Sequence, residues 1–243
     1  MVAVRPPKTP RKGSRQQRRT SHTRQRLLDA ARQVFAERGL DLTRIDEITE
    51  RADVGKGTFY YHFGSKTELV NELIRRLLDE LSASITENCA GLTDLAGLLD
   101  RLMGVHIEFF SARWEDFVLY FQSRSDLALE QGYDGIETPF VEYIEHMEAL
   151  LAGVVKRRLP HAVLRRIACA VAGFVSGYYS FVAIASDDEH IDKTFRPLRR
   201  AMVASLASFI QEAVGNAEGD PGAGDTPPPS HNIPAEGREL RKE

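Results

Sequence analysis

Between Thr23 and Arg38, the apolar residues Leu27, Leu28, Ala31, Val34 and Phe35 recur at spacings of one, three and four. That is one apolar stripe on a helix, and the same period returns along nearly the whole chain. Strand-like alternation is almost absent and no internal repeat interrupts the pattern. The chain is therefore expected to be all-α, with about nine helices. Beyond the first helix, Thr43 is placed to cap a short helix whose inner face holds Ile45, Ile48 and Ala52. A tight turn at Asp53–Gly55 leads to a third helix, Lys56–Phe63, closed by Gly64. Ser65, with Glu68 three places on, reads as a capping box opening a long helix to about Glu87. Further helical patterns cover roughly 93–112, 115–130, 137–158, 161–186 and 192–214, punctuated by Gly91, a Gly132–Gly135 loop and Pro160.

Charge divides the chain. Residues 1–28 carry nine Lys/Arg and no Asp/Glu, while the remaining 215 residues hold 23 bases against 35 acids. A basic start on an acidic body points to a polyanion-facing end. Pro6, Pro7 and Pro10 argue against an amphipathic targeting helix, and no apolar core of a secretory signal follows. Residues 1–20 are read as a disordered basic arm. Residues 216–243, rich in Gly, Pro, Asp and Glu, are read as a disordered tail. Two cysteines, Cys89 and Cys169, exclude a disulfide scaffold and a four-thiolate zinc site, and they favour a reducing, cytoplasmic setting. Ile167–Ser186 is twenty residues without a charge, long enough for a membrane span. Its Ala, Gly and Ser content favours a buried helix instead.

The pair of short helices around the Asp53–Gly55 turn has the layout of a helix-turn-helix, spanning 44–63. The first helix braces the second, whose outer face meets the major groove. Phe59 and Phe63 face inward, leaving Lys56, Gly57, Thr58, Tyr60, Tyr61 and His62 outward or lateral. Exposed polar aromatics on a small helix make poor core and want a partner. Gly57 weakens the helix but removes a Cβ where DNA would approach. Lys66 begins the next helix, where a cation and a helix N-terminus suit a phosphate.

The run AARQVFAERG followed by TRIDEITERADVGKGTFYYHFGSKTELV closely resembles the DNA-binding domain of TetR-family transcriptional regulators. The likeness is sharp over residues 21–81. It implies that Lys56, Gly57 and Tyr60 face base edges and that Thr58, Tyr61, His62 and Lys66 contact phosphates. Arg44, two places before Asp46, is a further DNA-binding candidate. Three positions depart from the pattern. Asp53 replaces the usual turn glycine, Gly55 the usual serine cap, and Asp46 a residue that is often basic.

Residues 82–215 are then expected to form a helical ligand-binding and dimerisation domain. Its aromatic clusters offer pocket candidates at Phe109, Phe110, Trp114, Phe117, Phe121 and Tyr178. His106 has two readings, a polar anchor in that pocket or, the commoner case, a satisfied core histidine. The resemblance implies an apolar small-molecule effector. Small residues at Cys169, Gly173 and Gly177, with Val203, Leu206 and Ile210, suggest a four-helix interface between two copies. The resulting expectation is a homodimeric repressor that binds a palindromic operator. An architectural DNA-binding protein is the competing reading. An enzyme is disfavoured, because no Gly-rich phosphate loop, HExxH or CxxC is present. No cofactor or metal is expected.

Overall fold

The computed structural model describes residues 12–126, 135, 137–155, 159–185 and 188–216. Among them are nine helices and no strand: α1 (Lys12–Arg38), α2 (Ile45–Arg51), α3 (Lys56–His62), α4 (Lys66–Cys89), α5 (Leu95–Ser111), α6 (Trp114–Asp126), α7 (Glu137–Val154), α8 (His161–Ala185) and α9 (Asp188–Asn216). The all-α expectation holds. The chain from 1 to 11, the Gly132 end of the expected loop and the tail from 217 lie outside the described residues.

The first helix differs most from its expected bounds. It begins at Lys12 rather than Thr23, so the latter part of the expected arm is helical. The segment Lys12–His22 has no apolar stripe to announce a helix, but nothing in it after Pro10 breaks one either. Its end follows the expectation, with Gly39 at φ 84° and its N–H on the Phe35 carbonyl at 2.8 Å. Glycine takes that left-handed conformation without a steric cost.

Two caps also differ in detail. Thr43 does not cap α2; its hydroxyl donates to the Gly39 carbonyl at 2.7 Å. The Arg44 N–H donates instead to the Glu47 carboxylate at 2.8 Å, because Glu47 can reach back one turn. At α4, Ser65 accepts from the Glu68 N–H at 3.1 Å, as expected, while the Glu68 carboxylate accepts from the Gly64 N–H at 2.7 Å.

α1, α2 and α3 form a small head, with Phe35, Ile48, Phe59 and Phe63 buried at its centre. α4 leaves the head and packs on α5 and α7, while α8 and α9 close the body against α5 and α7. The charge-free stretch on α8 is amphipathic in place. Ile167, Ala168, Val171, Ala172, Val175 and Ser176 turn inward, whereas Cys169 and Gly173 stay exposed. Among the described residues, no helix is long and apolar enough to cross a membrane.

Candidate nucleic-acid interface

The turn between α2 and α3 rests on Asp53, which takes φ 50°. Asp tolerates this region better than most residues with a Cβ. Arg26 of α1 holds it there: its guanidinium donates to the Ala52 carbonyl, to the Asp53 carbonyl at 3.3 Å and to the Asp53 carboxylate at 3.4 Å. The substitution of the usual turn glycine therefore has a local cause and a local support. α3 then lies with Phe59 fully buried and its other aromatics outward, Tyr60 at 50% and Tyr61 at 76% exposure. A Cβ built on Gly57 or Gly55 would meet nothing within 4 Å, so the backbone at the start of α3 is open to an approaching surface. Thr58 and His62 are half-buried at the flanks. Burial, and then the Arg24 cation, hold the His62 imidazole below its ordinary value, which favours its neutral form.

The charges on this face are mostly in use. Lys56 Nζ lies 2.8 Å from the Asp46 carboxylate, whose other oxygen is 3.8 Å from Arg44. Asp46 is held below the usual carboxylate value mainly by its hydrogen bond to Lys56. Arg51 makes a two-point pair with Glu37 at 2.8 and 2.7 Å, and Arg38 pairs with Glu47. Lys66 departs from its expected role. Its ammonium donates to the carbonyls of Leu40 (2.7 Å), Thr43 (3.1 Å) and Asp41 (3.4 Å). An ammonium has three protons, and these three oxygens occupy them. Lys66 thus ties the start of α4 to the loop before α2 rather than presenting a cation to solvent.

Several positioning contacts come from residues that sequence reading did not single out. Arg24 reaches Glu72 on α4 at 2.8 Å and lies over the Phe63 ring, 4.6 Å from its centre. Gln122 on α6 accepts from the Leu40 N–H at 2.9 Å. Arg32 on α1 lies 2.8 Å from Asp116 of α6, which is almost fully buried. Burial pushes the Asp116 carboxyl up, against the pull of Arg32 and Arg113. These pairs are 48, 82 and 84 positions apart in sequence, so no local pattern announces them.

In the body, His106 is not a ligand anchor. It is fully buried, with Nδ1 2.6 Å from the Leu102 carbonyl and Nε2 bonded to the Tyr143 hydroxyl. Both ring nitrogens are satisfied, so none is left for a small molecule. Phe110 packs its ring on Phe117 and Tyr120, and Phe109 packs on Phe110. Trp114 and Phe121 flank Phe117 but remain 47% and 41% exposed. Tyr178 is buried on α8. The aromatic candidates thus divide between packed core and surface. A cleft between α1, α4 and α6 has mostly polar walls, including Gln25, Arg32, Arg76, Glu80 and Asp116.

The interface candidates divide as well. Val203 and Ile210 are buried within the chain itself and Leu206 packs against the same core, because their face of α9 lies on the body. Cys169 and Gly173 point outward, and Gly177 has open space over its Cα. Among the described side chains of α9, the large apolar ones left exposed are Leu198 and Phe209.

A small three-helix head with an open recognition helix, carried on a helical body, defines a helix-turn-helix DNA-binding protein. Residues 27–73 match the family described as bacterial regulatory proteins, tetR family. Over these residues the chain carries a DNA-binding segment of the TetR type. It is 32% identical over 135 residues to the transcriptional repressor KstR2 of Rhodococcus jostii, a match covering 55% of this chain and 66% of that protein. It is 35% identical over 114 residues to KstR2 of Mycobacterium tuberculosis, covering 46% and 56%. The chain thus spans less than two thirds of either relative. In fold it is similar to a tetR-family regulator from Streptomyces coelicolor, with TM-score 0.63, 19% identity, and 82% and 84% of the two chains covered. It is also similar to FadR of Bacillus subtilis solved with stearoyl-CoA, with TM-score 0.58, 18% identity, and 76% and 95% covered.

Proposed function

We propose that the protein is a homodimeric transcriptional repressor of the bacterial cytoplasm that reads a palindromic operator and is released by an apolar small molecule. The observation that carries this reading is α3 itself. Tyr60 and Tyr61 stand exposed beside an unobstructed backbone at Gly57, on a helix fixed from below by Phe59. Lys56, Gly57 and Tyr60 take the base edges, and Thr58, Tyr61, His62 and Arg44 take the flanking phosphates. Lys66 supports the head from behind. The outward residues Cys169 and Gly173 on α8, and Leu198 and Phe209 on α9, support pairing of two bodies through these helices. A two-fold pair of recognition helices then calls for two half-sites about one helical turn apart. The names of the relatives support repression, and the stearoyl-CoA bound by the Bacillus subtilis protein supports an apolar effector.

The decisive experiment selects an operator from random duplex DNA with the full chain and then measures variants on it. Lys56→Ala and Tyr60→Ala should each weaken specific binding by roughly 1–3 kcal/mol. Wild-type affinity in both would remove α3 as the reader. Stearoyl-CoA is a suitable first probe for release of the bound duplex.

A further inference from the structure

Most of the basic groups of the head are already occupied by its own acids and carbonyls. Over residues 44–63 there are three bases against four acids. Arg51 is held by Glu37, and Lys56 by Asp46. A surface that meets a polyanion gains affinity from each phosphate it neutralises, whatever the base sequence. Here α2 places a carboxylate where it takes the one lysine of α3 out of that role. Asp46 and Lys56 are both about half exposed, so the pair lies on the outer face and not under it. The ammonium keeps donors beyond the one on Asp46, and the tether fixes where they point. Guanine O6 and N7 in the major groove are acceptors of the kind such a donor reads.

Resting on the reading of α3 as the recognition helix, we propose that Asp46 is a specificity-determining positioning residue: it holds the Lys56 ammonium away from phosphates and directs it to a base edge, lowering affinity for unrelated DNA more than for the operator. Discrimination depends on the difference between two affinities, so weakening the wrong complex is as effective as strengthening the right one.

The test uses the full chain and two duplexes, the one it selects from random DNA and a shuffled version. Asp46→Asn should bind the shuffled duplex about 3–10-fold more tightly. Its salt dependence should steepen by about one counterion, while binding to the selected duplex changes by less than about threefold. Asp46→Glu should keep the wild-type ratio between the two duplexes. In a Lys56→Met background, Asp46→Asn should no longer steepen the salt dependence. Unchanged affinity and salt slope on the shuffled duplex would overturn the role of Asp46. So would a steepening that persists without Lys56, or equal loss on both duplexes with a lowered unfolding midpoint. If the wild-type chain itself shows no preference for the selected duplex, the recognition-helix reading fails first and takes the proposal with it. If that preference stands and only Asp46→Asn is silent, the reading survives alone.

Discussion

On the head, Tyr60 and Tyr61 are exposed, whereas in the body Tyr143 turns its hydroxyl inward onto His106. The same residue types serve opposite ends. A tyrosine exposed on a seven-residue helix contributes little to folding and is free to meet a partner. A tyrosine buried between α5 and α7 satisfies a histidine that would otherwise carry an unpaired polar atom into the core. The difference lies in the supporting elements. α3 is too short to bury two faces, while α5 is enclosed by α4, α7, α8 and α9.

The contrast is broken most forcefully in the body. His106→Ala removes buried volume and takes the imidazole away from the Tyr143 hydroxyl, at an expected cost of about 3–5 kcal/mol in urea unfolding. Operator affinity per folded molecule should be unchanged. A loss of affinity without a loss of stability would make His106 part of the reading apparatus.

The same histidine gives the body a pH signature. Burial pushes it down to about 4, although the Leu102 carbonyl draws it up. The unfolded chain takes up this proton near the ordinary value of 6.5, and the folded chain only near 4. Stability is therefore complete above pH 6.5 and falls as pH drops towards 4, by up to about 3 kcal/mol. Unfolding midpoints measured across that window should show the fall, flattened in His106→Gln.

At the joint between the two regions, Gln122→Ala leaves the Leu40 N–H without its acceptor. The expected loss is roughly 1 kcal/mol, read by denaturation. The smallest effect carries the sharpest contrast. Gly57→Ala should stabilise the free chain by up to about 1 kcal/mol, since the Cβ meets open space and alanine favours a helix. The same Cβ should weaken operator binding. Improvement or indifference in both measurements would show that nothing approaches this backbone.

Legibility in the sequence follows the range of the contacts. The head was readable because its logic is local: Phe59 and Phe63 four apart, Gly39 after a basic last turn, Ser65 before Glu68. The left-handed Asp53 belongs with these, since a single residue's backbone preference permits it. The tie made by Lys66 has no local signal, because its partners, the carbonyls of Leu40, Asp41 and Thr43, lie some 25 positions back. His106 presented two readings in sequence, ligand anchor or satisfied core group, and only the position of Tyr143 decides between them. Val203 and Ile210 show the same ambiguity for apolar stripes. Periodicity says that a face is buried, but not whether the chain itself or a second copy covers it.

α1 is one unbroken helix of 27 residues, gripped near its middle by the carbonyls of Ala52 and Asp53 and further along by Asp116. Its Lys12 end extends fourteen residues beyond Arg26, roughly 20 Å of rigid rod. Such a rod is a lever with two nearly equal arms, one set in the head against α2 and α6 and the other bearing positive charge. A tilt of about 10° at the grip carries its far end through roughly 3–4 Å, about the axial spacing of successive phosphates on one DNA strand.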